Sequence, residues 1–167
     1  LGVNAALGRR GIRMKLFPEN PTLVYRPFKL NERNYIYLAD RGRIFGDVRL
    51  FDDQGTGFHF YTNREDTIAD QEMTVELSRI DLKQFKKVLP YLPDVEGWLG
   101  GSAHYVDSEG QMMLSADVSL DHFVYEKSPL GNWTMNGVYL PGDNNAHHVD
   151  GFITHNDREI IYMNGIY

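Results

Sequence analysis

From Tyr35 to the C-terminal residue, short runs of alternating apolar and polar residues are separated by turn-rich clusters. The clearest run, Leu114-Ser-Ala-Asp-Val-Ser-Leu-Asp121, puts Leu114, Ala116, Val118 and Leu120 on one face and Ser115, Asp117, Ser119 and Asp121 on the other. Successive side chains of a strand point to opposite faces, so this period predicts a sheet with one apolar side and one wet side. The spacing predicts strands over 44–51, 57–62, 73–80, 98–106, 111–125, 132–140 and 147–154, with a last one after His155-Asn-Asp-Arg158. Extended segments over 22–30 and 34–38 precede them. Residues 1–20, rich in glycine and arginine, read as a linker or poorly ordered entry in which 12–17 has strand character.

Turn chemistry separates the runs, at Asp40-Arg-Gly-Arg43, Asp52-Asp-Gln-Gly-Thr-Gly57, Asp107-Ser-Glu-Gly110, Ser128-Pro-Leu-Gly131 and Pro141-Gly-Asp-Asn-Asn145. One short helix is expected near 81–90. Asp81 caps it, Leu82, Phe85, Val88 and Leu89 form its apolar stripe, and Pro90 and Pro93 stop it. Runs joined in this way predict an all-β antiparallel meander, and the lack of βαβ alternation argues against a parallel nucleotide-binding sheet. Ile44, Val48 and Leu50, Phe58 and Phe60, Met73, Val75 and Leu77, and Leu114, Ala116, Val118 and Leu120 are the candidates for one shared apolar face. Periodicity alone favours the core of a sandwich or barrel. The sharper reading is a single curved sheet whose apolar face stays open as a groove.

Composition narrows the chemistry. At 167 residues, with 42% hydrophobic and 24% charged positions, one globular domain is expected, and 13% aromatics lean towards β structure. A net charge of −6 and an isoelectric point near 5.4 argue against nucleic acid and anionic membrane surfaces as partners. With no cysteine, disulfides, thiolate metal sites and cysteine nucleophiles are excluded. There is no apolar run of about 18 residues. The chain opens on Leu1 and closes in a strand-like run, so it is expected to be a fragment of a longer protein.

His148 and Asp150 share a strand face, but two ligands fall short of a zinc site, and Asp52-Asp53 and Asp143-Asn-Asn lack calcium-loop spacing. Ser115 and Ser119 lack a nucleophile elbow, and His104 and His122 have no nucleophile named beside them. No catalytic residue, metal ligand or cofactor is therefore assigned. Gly97, Gly100 and Gly101 read as a bulge or tight curvature in a strand. Trp98, Trp133 and the tyrosines support an alternative, a carbohydrate- or ligand-binding β-sandwich module of a secreted or surface protein.

One resemblance adds to this. Tyr25-Arg-Pro-Phe-Lys-Leu-Asn-Glu-Arg-Asn-Tyr-Ile-Tyr-Leu38 precedes Gly46-Asp-Val-Arg-Leu50 and Gly55-Thr-Gly-Phe58. Ile80-Asp-Leu82, Leu89-Pro-Tyr-Leu-Pro93 and Gly97-Trp-Leu-Gly100 follow, then Ser115-Ala-Asp117, Gly131-Asn132 and Asp150-Gly151. In this order, over about 21–167, the chain resembles the repetitive β region of TamB-type translocation and assembly proteins, which are similar to AsmA-like proteins, in the version found in Bacteroidetes. The resemblance implies a folded-over, β-taco-like sheet with an apolar inner groove. It implies a place in the periplasm, within a protein anchored in the inner membrane of a diderm bacterium. It also implies a non-enzymatic role in lipid transport and outer-membrane biogenesis. The implied partners are phospholipid acyl chains or client β-strands, and an outer-membrane assembly barrel engaged by the full-length protein; edge-to-edge self-association of the fragment is a further expectation.

Overall fold

The computed structural model describes residues 1–23, 25–63, 71–84, 91, 93–142 and 146–166, apart from the side chain of Arg41. The strands are β1 (Gly2–Gly8), β2 (Gly11–Phe17), β3 (Thr22–Leu23), β4 (Arg26–Pro27), β5 (Lys29–Leu30), β6 (Tyr35–Ala39) and β7 (Ile44–Phe51). They continue as β8 (Gly57–Thr62), β9 (Gln71–Asp81), β10 (Val95–Ser108), β11 (Gln111–Tyr125), β12 (Ser128–Pro141), β13 (His147–His155) and β14 (Arg158–Ile166). Twelve of them form one antiparallel sheet in the order β1-β2-β6-β7-β8-β9-β10-β11-β12-β13-β14, with β5 also on β7, while β3 and β4 pair separately. β1 and β14 are its edges, so the sheet is not closed into a barrel. The sandwich or barrel core that periodicity alone favours is not what forms.

Two elements differ from the sequence reading. Residues 1–20 are not a linker: β1 and β2 pair from Gly2↔Phe17 to Gly8↔Gly11, and β2 docks on β6. The turn expected at Ser128–Gly131 falls earlier, at Glu126–Lys127, both at positive φ. Gly131 instead sits inside β12 at φ 76° beside a register shift, where a Cβ would collide with the Asn156 carboxamide. The bulges expected around Gly97–Gly101 are present as register shifts between Glu96 and Trp98 and between Leu99 and Gly101. Helical geometry begins at 82–84 behind Asp81, whose carboxylate accepts from the Lys83 N–H (3.0 Å) and Gln84 Nε2 (2.9 Å). The rest of the expected helix, and Asp143-Asn-Asn145, lie outside the described residues.

Where the ladder breaks, carboxamide side chains replace backbone partners. β5 and β6 lie end to end along β7, with Asn31 and Asn34 in the gap. Asn34 Oδ1 accepts from the Leu16 N–H (2.8 Å) and its Nδ2 donates to Asn31 O (2.7 Å), while Asn31 Oδ1 accepts from the Arg49 N–H (3.0 Å). Asn34 is buried, as a group able to satisfy both donors and acceptors in a break must be. Gln71 acts likewise between β7 and β9.

The packed core is confined to the first half of the sheet. Leu30, Val48 and Leu50 are buried against each other, with Leu16, Ile36, Phe58 and Phe60 around them. Leu23 and Phe28, from the segment that carries the β3–β4 hairpin, cover them. That segment is held by hydrogen bonds from the Phe28 N–H to Pro21 O (2.8 Å) and the Leu30 N–H to Glu19 O (2.7 Å), and by the Arg26–Asp52 ion pair (3.3 Å).

Candidate functional site

Directly paired residues of an antiparallel sheet share a face. The register can therefore be followed from strand to strand. One cross-strand row runs Leu30, Leu50, Phe58, Leu77, Gly101, Val118, Met135, Ile153, Ile161. The next runs Val48, Phe60, Val75, Ala103, Ala116, Gly137, Gly151, Met163. A third runs Met73, Tyr105, Leu114, Tyr139, Val149. Ile44 pairs with Leu38 at the start of β7, in step with Val48 and Leu50, and Leu120 pairs with Leu99 and Trp133. Every sequence candidate thus lies on one face.

Their surroundings are not alike. In the covered half Val48 and Leu50 are each 3% exposed, whereas Val75 (38%), Leu77 (37%), Leu114 (43%) and Met135 (42%) are open on the same face. From β9 onward no described segment packs over the apolar face as Leu23 and Phe28 do over β7. Several of its larger aliphatic side chains are exposed, Gly101, Ala103, Ala116, Val118 and Gly137 are half-buried, and Gly151 is buried. Its middle row narrows to Ala103, Ala116, Gly137 and Gly151, flanked about 7 Å away on each side by rows of larger side chains. A Cβ on Gly137 would meet nothing closer than Asp150 O at 4.0 Å, so the row is a shallow furrow at Gly137, whereas at Gly151 a Cβ would lie 2.5 Å from Asn136 O. The sequence reading missed the contributions of β10, β12 and β13. The alternation Trp133, Met135, Gly137, Tyr139 carries the same period as β11, but its small and aromatic residues dilute the apolar signal.

The opposite face carries a run of polar pairs, with Phe45 buried at one end of it and Val138 and Leu140 exposed further along. His59 Nε2 lies 2.9 Å from Asp47 Oδ1 and its Nδ1 3.9 Å from Glu76 Oε2, while the Tyr61 hydroxyl donates to Glu76 Oε1 (3.0 Å). Thr74 Oγ1 and His104 Nδ1 are hydrogen-bonded (2.8 Å), and His104 Nε2 lies 3.6 Å from Glu72. Further along, Asn136 donates to Asp117, and Asn164 donates to Asp150 (2.5 Å). Asp150 is thus engaged by an amide, and no group of three His, Asp or Glu able to hold a metal gathers among the described residues. The two tryptophans do not form one platform: Trp133 pairs with Leu120 on the apolar face and Trp98 with Asp121 on the wet face. No helix of the described residues is long and apolar enough to cross a membrane.

Two tyrosines titrate high. The hydrogen bond to Glu76 raises the Tyr61 hydroxyl above its ordinary value, and burial adds to this. Burial raises Tyr105, with Asp107 contributing. Both groups bind protons more tightly folded than unfolded. Their stabilisation is therefore complete below the unfolded value of about 10 and is lost as pH rises through the folded transitions. Absorbance titration at 295 nm is expected to show two late-ionising tyrosines, with alkaline unfolding accompanying them. Glu76→Gln should return one to the ordinary range; two late tyrosines in that variant would refute the Tyr61–Glu76 assignment.

No family model, curated protein or solved structure matches this chain.

Proposed function

We propose that this chain is a non-enzymatic segment of an envelope-spanning bridge. It carries phospholipids between the inner and outer membranes through an apolar groove, or assists outer-membrane protein assembly there. On this reading it works in the periplasm, as part of a protein anchored in the inner membrane of a diderm bacterium. The observation that carries the reading is the open apolar face from β9 to β14, continuous across strands and free of charged side chains along its two central rows. The order of motifs, which resembles that of TamB-type proteins, supports it as well.

The physics suits a conduit. Burying a methylene stabilises by about 0.8 kcal/mol, so an acyl chain of about 16 carbons gains on the order of 10 kcal/mol. Along rows of near-uniform aliphatic lining that gain changes little from one position to the next. A chain is held on the face yet slides along it.

The test is to extract the purified protein with organic solvent and weigh the extract by mass spectrometry. Phospholipid is expected at about stoichiometric amounts. Gly137→Leu, which fills the furrow without meeting the backbone, should fold and carry several-fold less. A lipid-free extract from folded native protein would sink the proposal.

A further inference from the structure

At one end of the strands the apolar face ends in a cleft of about 410 Å³. Among the described residues it is lined by Arg43, Ile44, Gln71, Met73, Tyr105 and Asp107, with Gly42 and Gly110 at its margins. Met73 and Tyr105 belong to a row of the open face, so the cleft is continuous with it. Two of its polar atoms are orphans. Arg43 Nε and Asp107 Oδ1 are both buried with no hydrogen-bond partner. The Arg43 guanidinium lies 5.3 Å from the Phe45 ring centroid, and among the described residues the other Asp107 oxygen accepts a long hydrogen bond, 3.5 Å, from the Tyr105 hydroxyl. Buried polar atoms are nearly always paired in native proteins, so a lone donor on a cation and a lone acceptor on an anion, in one cleft, call for a cause.

We propose that this cleft binds a zwitterionic phospholipid headgroup of the phosphoethanolamine type, its phosphate on Arg43 and its ammonium on Asp107. This rests on the groove reading above and locates the end of the lipid that the groove leaves unassigned. Guanidinium and phosphate make charge-assisted hydrogen bonds, and a primary ammonium carries the N–H that Asp107 Oδ1 lacks. A quaternary choline has no such hydrogen, so the cleft discriminates between the two common zwitterions. With the headgroup seated, Met73 and Tyr105 lead the acyl chains from the rim onto the open face.

The experiment uses short-chain probes below their micelle concentrations, with calorimetry and the methyl resonance of Met73 as readouts. The probes are dihexanoyl phosphatidylethanolamine, phosphatidylcholine and phosphatidylglycerol, dihexanoylglycerol, and free glycerophosphoethanolamine. The ethanolamine lipid is expected to bind about tenfold tighter than the choline lipid and to move Met73. Asp107→Asn should reduce that preference to under about threefold, and Arg43→Gln should weaken every phospholipid while leaving dihexanoylglycerol unchanged. Because Asp107→Asn can keep an oxygen for the Tyr105 hydroxyl and removes the charge from the unpartnered position, its melting temperature should not fall, which separates lost recognition from lost folding. Equal binding of all headgroups, variants without effect, or an unmoved Met73 would overturn the headgroup site and leave the groove reading standing. Failure of dihexanoylglycerol to bind while glycerophosphoethanolamine still does would sink the groove reading and keep the cleft as a site for a free headgroup. No binding by any probe overturns both.

Discussion

Leu50→Glu is expected to unfold the protein, and Val118→Glu, in the same cross-strand row but four strands along, is expected to leave it folded and empty. Leu50 is 3% exposed beneath the segment that brings Leu23 and Phe28 onto the sheet. A carboxylate there has no cation to meet and no route to water. An unpaired buried charge costs several kcal/mol, against a total stability of about 5–15 kcal/mol. Loss of the cooperative thermal transition and of the near-ultraviolet circular dichroism should follow. Val118 is half-buried between Gly101 and Met135, the latter 42% exposed, and a glutamate at its position can reach water past them. The expected stability change is within about 2 kcal/mol. A charge in the middle of the track would have to be buried by any acyl chain lying across it, so lipid should be lost from the extract. Unfolding of both variants to the same degree would mean that the face is sealed at β11 as it is at β7, and the conduit would have no track.

This contrast also marks the limit of what was legible in the sequence. The ends of β7, β8 and β11 follow from strict alternation bounded by aspartate and glycine turns. A side-chain period of two was enough to place Ile44 through Leu120 on one face. It was not enough to say which of them are covered, because Leu50 and Leu77 read alike along their strands. What separates them is Leu23 and Phe28, held over β7 by pairings that no local pattern encodes. The β1–β2 hairpin escaped for a different reason: Gly2, Ala5, Ala6 and Gly8 are weak strand formers, and backbone pairing to β2 holds them extended regardless. The misplaced turn before β12 has a cause in backbone conformation. Glu126 and Lys127 adopt the positive φ that asparagine and glycine usually supply. The cleft was wholly hidden, since Arg43 and Asp107 come to line one cavity only once β7, β9 and β10 are in register.

The break between β7 and β9 gives the sharpest test of how such a long open sheet stays together. The pairing of β7 with β8 stops at Asp47↔Tyr61, so the edge of β7 at Ile44 that faces away from β6 has no described strand beside it. Gln71 fills the gap: its Nε2 donates to Ile44 O and its Oε1 accepts from the Ile44 N–H, each at 2.6 Å. The carboxamide thus stands in for one peptide unit of the missing strand. Gln71→Leu keeps most of the volume and removes both partners. Each buried peptide group left unpaired costs about 1–3 kcal/mol, so the pair together is worth about 2–6 kcal/mol. For a domain of this size that corresponds to a fall of about 4–24 °C in melting temperature. Gln71→Glu separates hydrogen bonding from packing. Ionised, the side chain cannot donate to Ile44 O; protonated, it both donates and accepts. Its folded form therefore favours the protonated acid, and the stability it restores at low pH should be lost as pH rises. The measured quantity is the melting difference from the native protein at pH 4.5 and at pH 7.5. A difference that stays constant between them, or a Gln71→Leu variant that melts with the native protein, would show that the break is held by something other than this carboxamide.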